Sequence, residues 1–339
     1  MRIAFASDWP RRRYSYAAVL TLTALGLAFP AAAGGLMALL LAVGMVLLGV
    51  AHGACDQFVV PGGQVTGVPT SGWRYWLAFL VGYLGLAGAV GLLWWRWPAA
   101  TVGLFFGMTV WHWGSADAAP APVPRLWWLA SGMLRGLLPF VVPAVRWPTE
   151  TAGIINHLLG FVGAAAMPAG WFARVADGLA VAMAAGYLVL WAVFLARRRW
   201  DLLPTELLEA LVLVLLFVAL PPQFTLGIYF VFWHSLQHVL RMTGWLGYPA
   251  TAGHPTPVRA ALLPQLLFFL RRAAPLLLVS CAALAVLGRL LAPHLHQPAD
   301  WLSLALVVAS LVTLPHALLV TVVMDAGYWQ RPQPNAAAG

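Results

Sequence analysis

The chain has 339 residues, of which 62% are hydrophobic and 9% charged, with a mean hydropathy of +0.84. Soluble domains carry roughly 25% charged residues, so a soluble globular protein is excluded. The formal net charge of +9 comes from 19 cations, all of them arginine, and these are scattered or lie beside apolar segments. That is the pattern of membrane topology and lipid headgroup contact, not of nucleic-acid binding.

A bilayer core about 30 Å thick takes roughly 20 apolar residues per helix. Candidate spans in chain order are 14–30, 33–60, 73–97, 99–118, 126–146, 151–168, 171–196, 203–221, 223–246, 270–292 and 300–328. Proline and glycine clusters at 61–72, 119–124, 247–257 and 292–300 separate them, and none is long enough to be a further domain. The expected fold is therefore all-α, a polytopic transmembrane bundle of about nine to eleven helices. It forms one integral-membrane domain over 14–328, between a basic cytoplasmic tail at 1–13 and a flexible tail at 329–339. The expected location is the inner (plasma) membrane, crossed several times.

Arg11–Arg13, an apolar run and AFPAAAG imitate a signal peptide. The run is long for that role and leads straight into another span, so a retained first helix is expected. By the positive-inside rule Arg11–Arg13 and Arg197–Arg199 share the cytoplasmic side, which needs an even number of crossings between them. Seven apolar segments intervene. Either 126–146, with Pro139, Pro143 and a central Arg135, or the short 151–168 is expected to be re-entrant or incomplete, unless the rule itself fails in this chain.

Ionisable groups at membrane depth are costly and usually face the bundle interior or a cavity. His52, His112, His234, His238 and His316 qualify, with Asp56, Asp117 and Asp325. Residues four apart on a helix have Cβ atoms about 5–6 Å apart, so His234 and His238 can address one metal ion, although both rings can equally bond to carbonyls. His52 and His112 strengthen the metal reading, because side chains from several helices converge in bundle cores. Neutral imidazole is also a ligand that can be buried without charge. It suits Fe, Cu, Zn or Ni. Four histidines on octahedral Fe(II) leave two positions open, whereas tetrahedral zinc is saturated by the same four.

Asp56, four residues after His52, and Asp117, five after His112, are candidates to orient those rings from behind, or are helix-end carboxylates near an interface. His316, after Pro315, reads as a donor standing behind the ligands, with a fifth ligand and a satisfied core histidine as the alternatives. His157, His254, His294 and His296 lie in short, loop-like or interfacial settings. Cys55 and Cys281 form neither a disulfide framework nor a zinc motif. Trp111, Trp113, Phe232 and Trp233 adjoin the histidines and are candidates to line a tunnel, or are ordinary packing.

HGACD at 52–56, HWGSAD at 112–117, WHSLQH at 233–238 and LPH at 314–316, taken in order, resemble the Brp/Blh family of bacterial and archaeal membrane proteins, described as β-carotene 15,15′-dioxygenases. The resemblance spans nearly the whole chain. It implies Fe(2+) held by His52, His112, His234 and His238, with β-carotene and O₂ as substrates, two retinals as products and a functional link to a retinal-binding rhodopsin. Trp113 stands where the family more often has Phe. Soluble carotenoid oxygenases with a propeller fold also use four-histidine iron, a likeness of site and not of fold. Three rivals stand beside this reading. A membrane desaturase would need HxxHH-type boxes, and the chain has no HH. A non-catalytic carotenoid binder or rhodopsin-assembly protein would not need convergent histidines, and a metal transporter would carry more intramembrane carboxylates.

Overall fold

The computed structural model describes residues 5–62, 72–118, 124–168, 170–248 and 261–326. Among them the chain is helical throughout, with no strand. The helices are α1 (Phe5–Ala28), α2 (Pro30–Gly44, continued as a π-helical Met45–Val50 and a last turn Ala51–Gly53), α3 (Trp73–Arg96), α4 (Pro98–Asp117), α5 (Arg125–Arg146) and α6 (Pro148–Phe161). They continue as α7 (Trp171–Ala196), α8 (Leu203–Ala219), α9 (Pro222–Ile228, a π-helical Tyr229–Ser235, then Leu236–Trp245), α10 (Leu262–Leu291) and α11 (Pro298–Leu319, then a π-helical Val320–Met324). This is the all-α polytopic bundle expected. The C-terminal tail at 329–339 and His254 lie outside the described residues.

Prolines in the first turn, Pro30, Pro98, Pro148, Pro204, Pro222 and Pro298, set where many helices start. A first-turn proline forfeits no hydrogen bond, and it forces the residue before it out of the helical region. Trp97 shows the effect: at φ −141°, ψ 65° it ends α3 and opens α4.

Among the described residues six segments are long and apolar enough to cross a membrane: Gly34–Phe58, Trp73–Arg96, Arg125–Arg146, Trp171–Ala196, Leu262–His294 and Pro298–Met324. Of these α5 is central, with 61% of its apolar window buried against 6% for α3 and for α10. The outer faces of α3 and α10 present bare leucine, valine and tryptophan, such as Leu84, Trp95, Leu278 and Val286.

Helices α4 and α5 run antiparallel at backbone contact. A Cβ on Gly114 would lie 1.8 Å from the Gly132 carbonyl oxygen, and one on Gly136 would lie 1.8 Å from that of Val110. Small residues permit this approach, which membrane helices use in place of a hydrophobic driving force. Helix α7 runs antiparallel to α5 in turn: Phe194 near its end meets Trp127 at the start of α5, and Gly186 faces Leu134.

That pairing places α6 within the bundle. Helix α7 starts at the end of the bundle where α5 finishes, so α6 begins and ends on one side. At 14 residues α6 is about 21 Å long, too short to cross, and it is the expected incomplete segment. Of the helices between Arg11–Arg13 and Arg197–Arg199, α2, α3, α5 and α7 are long and apolar enough to cross. Helix α5 is complete despite Arg135, because Arg135 pairs with Glu206 at 3.0 Å and also with Glu209. Glu209 pairs in addition with Arg12 of α1 and accepts the Tyr16 hydroxyl at 3.0 Å. Two guanidiniums and two carboxylates thus neutralise one another in the core. The first helix accordingly starts at Phe5 and not at 14, with Arg12, Tyr16, Val19 and Leu22 buried in the bundle.

Candidate metal centre

Five histidines from four helical runs meet towards the end of the bundle that holds the α1 N-terminus. They are His52 at the end of α2, His112 on α4, His234 and His238 on α9, and His316 on α11; none is more than 6% exposed. Ring centroids lie 4.8 Å apart for His52/His316 and for His112/His316, 5.0 Å for His112/His234, 5.3 Å for His238/His316 and 5.4 Å for His52/His238. One ring nitrogen from each of His52, His112 and His316 falls within 4.8 Å of the others. Sequence reasoning grouped His52 and His112 with His234 and His238; the structure brings all four rings together and adds His316 at the same close range.

The backbone that carries these rings departs from regular α-helix. The π-helical Met45–Val50 precedes His52, His234 lies within the π-helical Tyr229–Ser235, and the π-helical Val320–Met324 follows His316. Such segments are rare and frequently mark functional sites. Each widened turn rotates the side chains that follow it relative to the α register.

The two aspartates fall behind other histidines than the expected ones. The helix ending at Gly53 gives way to a 3₁₀ turn, Asp56–Phe58, so Asp56 leaves the His52 face. It accepts instead the His316 Nδ1–H at 2.8 and 2.9 Å and the Tyr83 hydroxyl at 3.0 Å. His52 Nδ1 is 3.1 Å from the Leu48 carbonyl oxygen, to which it donates. Asp117, at i+5 from His112, points across to α9. It accepts the Tyr229 hydroxyl at 2.7 Å, and its other oxygen is 3.4 Å from His234 Nδ1. The Asp117 carbonyl oxygen receives Arg135 at 3.0 Å and Arg12 at 3.3 Å, which ties the buried ion quartet to this corner of the site.

Of the four expected tunnel residues, Trp113 meets the site, 5.7 Å from the His234 ring. Trp111 turns to Trp128 and donates to Thr321 at 3.1 Å. Trp233 is fully buried on the opposite side of α9, edge-on to Tyr16. Phe232 packs between the two larger apolar clusters. Neighbours in sequence do not share a helix face. Phe230, four residues before His234, does share one: its ring stacks on His234 at 6.0 Å and lies 5.9 Å from His52 and 5.6 Å from Trp113. Applying the i−4 rule to His234 would have found it.

The remaining described histidines stand apart. His157 bonds to Asp300 at 2.9 Å, His294 and His296 are exposed, and the free thiols Cys55 and Cys281 lie in apolar surroundings.

The donor set fits a bound transition metal. Both ring nitrogens of His112, His234 and His238, and Nε2 of His316, are buried without a hydrogen-bond partner. A buried polar atom without a partner costs about 1–3 kcal/mol, and a shared cation would satisfy several of them at once. The carboxylate–histidine arrangement of Asp56 and His316 is the one that metal-bound imidazoles usually have.

Fold and site together define a polytopic helical-bundle protein with a buried polyhistidine centre. The sequence matches the family model described as Beta-carotene 15,15'-dioxygenase over residues 43–324, and the chain belongs to that family. It is similar to a protein of Halobacterium salinarum named probable beta-carotene 15,15'-dioxygenase Blh, at 32% identity over 295 residues covering 81% of each chain. No solved structure matches it. The chain is thus an enzyme, an oxygen-incorporating oxidoreductase of this family.

Proposed function

We propose that the chain cleaves β-carotene at its central double bond with O₂, giving two molecules of all-trans-retinal, with Fe(2+) in the polyhistidine centre. The observation that carries this reading is the convergence of five buried, partner-poor imidazoles in a chain of this family. Fe(2+), when bound, supplies the electron and spin coupling that a closed-shell polyene and triplet O₂ lack. The protein's own residues do the rest. His52, His112, His234 and His238 would hold the ion, and His316, whose Nε2 has no protein partner, would face the same centre instead of standing behind the ring of ligands.

Asp56 fixes the His316 tautomer, and the Leu48 carbonyl fixes that of His52. Leu48, Val231, Leu236 and Val320, all buried in one apolar cluster, exclude water. Phe230 and Trp113 offer ring faces beside the histidines for the polyene. Atoms balance without a protein nucleophile: one O₂ supplies both aldehyde oxygens, and no proton is gained or lost. β-Carotene is roughly as long as the hydrocarbon core is thick, so it reaches the centre from lipid. We place the protein in the plasma membrane with Arg11–Arg13 and Arg197–Arg199 inside, where retinal would serve a retinal-binding rhodopsin.

The test is expression in a β-carotene-accumulating bacterium beside the His238→Ala variant, with pigments separated by chromatography and iron measured on the purified protein. Retinal and bound iron with the natural sequence alone support the reading. Carotene persisting in both strains, with iron-loaded protein in the membrane, rejects it in favour of binding without cleavage.

A further inference from the structure

Helix α3 is mostly exposed, yet one aromatic stripe of it, which carries two hydroxyls, is turned inward. Tyr75, Phe79 and Tyr83 follow one another at helical spacing, with ring centroids 6.2 and 5.4 Å apart. Tyr75 donates to the Gln57 carbonyl oxygen at 2.5 Å, and Tyr83 donates to Asp56 Oδ2 at 3.0 Å. The other acceptor near Tyr83, the Val312 carbonyl oxygen, is more distant at 3.4 Å. The 3₁₀ turn that bears Asp56 is therefore held to α3 at two points, one on its backbone and one on its carboxylate.

We propose that Tyr83 is a positioning residue for the metal centre, acting through Asp56 on His316. The proposal rests on the metal-centre reading above and adds a residue that does not touch the centre. A carboxylate only accepts hydrogen bonds, so the His316 nitrogen facing Asp56 carries the proton and Nε2 is left with its lone pair. That nitrogen is buried with no protein partner. Asp56 reaches His316 with both oxygens, at 2.8 and 2.9 Å, and would be free to swing about its own side-chain torsions. The Tyr83 hydroxyl, arriving from a different helix, removes that freedom and fixes the plane of the carboxylate. The imidazole direction follows. Outer partners of this kind typically change metal affinity 10–100-fold.

The experiment uses the full-length chain purified in detergent and stripped of metal, titrated with Co(II), whose visible ligand-field bands report the donor set. The natural chain is compared with Tyr83→Phe, which keeps the ring and removes the hydroxyl, and with Asp56→Asn. Tyr83→Phe should weaken Co(II) binding about tenfold and shift the bands, while its metal-free thermal midpoint stays where it was; Asp56→Asn should do the same more strongly, about 10–100-fold. Binding by Tyr83→Phe within about twofold of the natural chain, with superposable bands, overturns the role of Tyr83 and leaves the metal centre standing. A metal-free midpoint that falls with the affinity also overturns it, since the hydroxyl would then be structural. No Co(II) binding by the natural chain removes the metal centre and this proposal together.

Discussion

Glu209 is the acceptor at the centre of the buried quartet: Arg12, Arg135 and the Tyr16 hydroxyl all converge on it, and it is 1% exposed. Glu209→Gln preserves shape and removes one negative charge, leaving Arg12, Arg135 and Glu206 as an uncompensated positive group in the core. Breaking a buried ion network by removing one partner costs about 3–5 kcal/mol. At about 1.4 kcal/mol per factor of ten, the ratio of folded to unfolded protein falls on the order of a hundredfold to a few thousandfold. Adding Arg12→Leu restores neutrality, because Arg135 keeps Glu206 at 3.0 Å. The double variant should therefore be more stable than the two single losses added together, with a coupling of about 2 kcal/mol or more. Equilibrium unfolding in mixed micelles, followed by tryptophan fluorescence, measures all four corners of the cycle. A Glu209→Gln loss under about 1 kcal/mol, or strictly additive losses, would refute the argument, since the charges would then be solvated or independent.

Other outcomes follow from single contacts. Gly114→Ala and Gly136→Ala each place a Cβ 1.8 Å from a backbone oxygen of the facing helix, so both should abolish accumulation of folded protein, whereas Gly85→Ala, with open space around it, should be neutral in a detergent melting assay. Trp233→Ala, directed into the core against Tyr16, should cost about 3–5 kcal/mol with iron content per folded chain unchanged. Phe230→Ala, at the ring face of His234, should keep iron and lower retinal formation, read by metal analysis and chromatography on one preparation. His316→Ala should lose iron as fully as His112→Ala does; a fully iron-loaded His316→Ala protein would return His316 to a supporting role.

The all-α bundle and most of its helix limits were legible in the chain, because a bilayer imposes a length and a hydrophobicity that local sequence must satisfy by itself. Proline and glycine clusters then mark the breaks. The histidines were legible for the same reason: His52, His112, His234 and His238 stand out where lipid tolerates few polar groups. What remained hidden was every relation between helices. Sequence spacing assigned Asp56 to His52 and Asp117 to His112, but the 3₁₀ turn after Gly53 hands Asp56 to His316, and Asp117 turns to Tyr229 of α9, 3.4 Å from the His234 ring. Choosing aromatics by adjacency found Trp113 and passed over Phe230, because a helix groups residues by turn and not by neighbour. Arg135 made α5 look incomplete until Glu206 and Glu209 arrived from a helix some seventy residues away. Composition and periodicity are local quantities, so the sequence by itself determined the class of fold and the residues that do not belong in lipid. Partners that meet only when separate helices pack are set by the bundle's geometry, and the tertiary structure alone decided which carboxylate supports which imidazole, which segment fails to cross, and that His316 faces the centre.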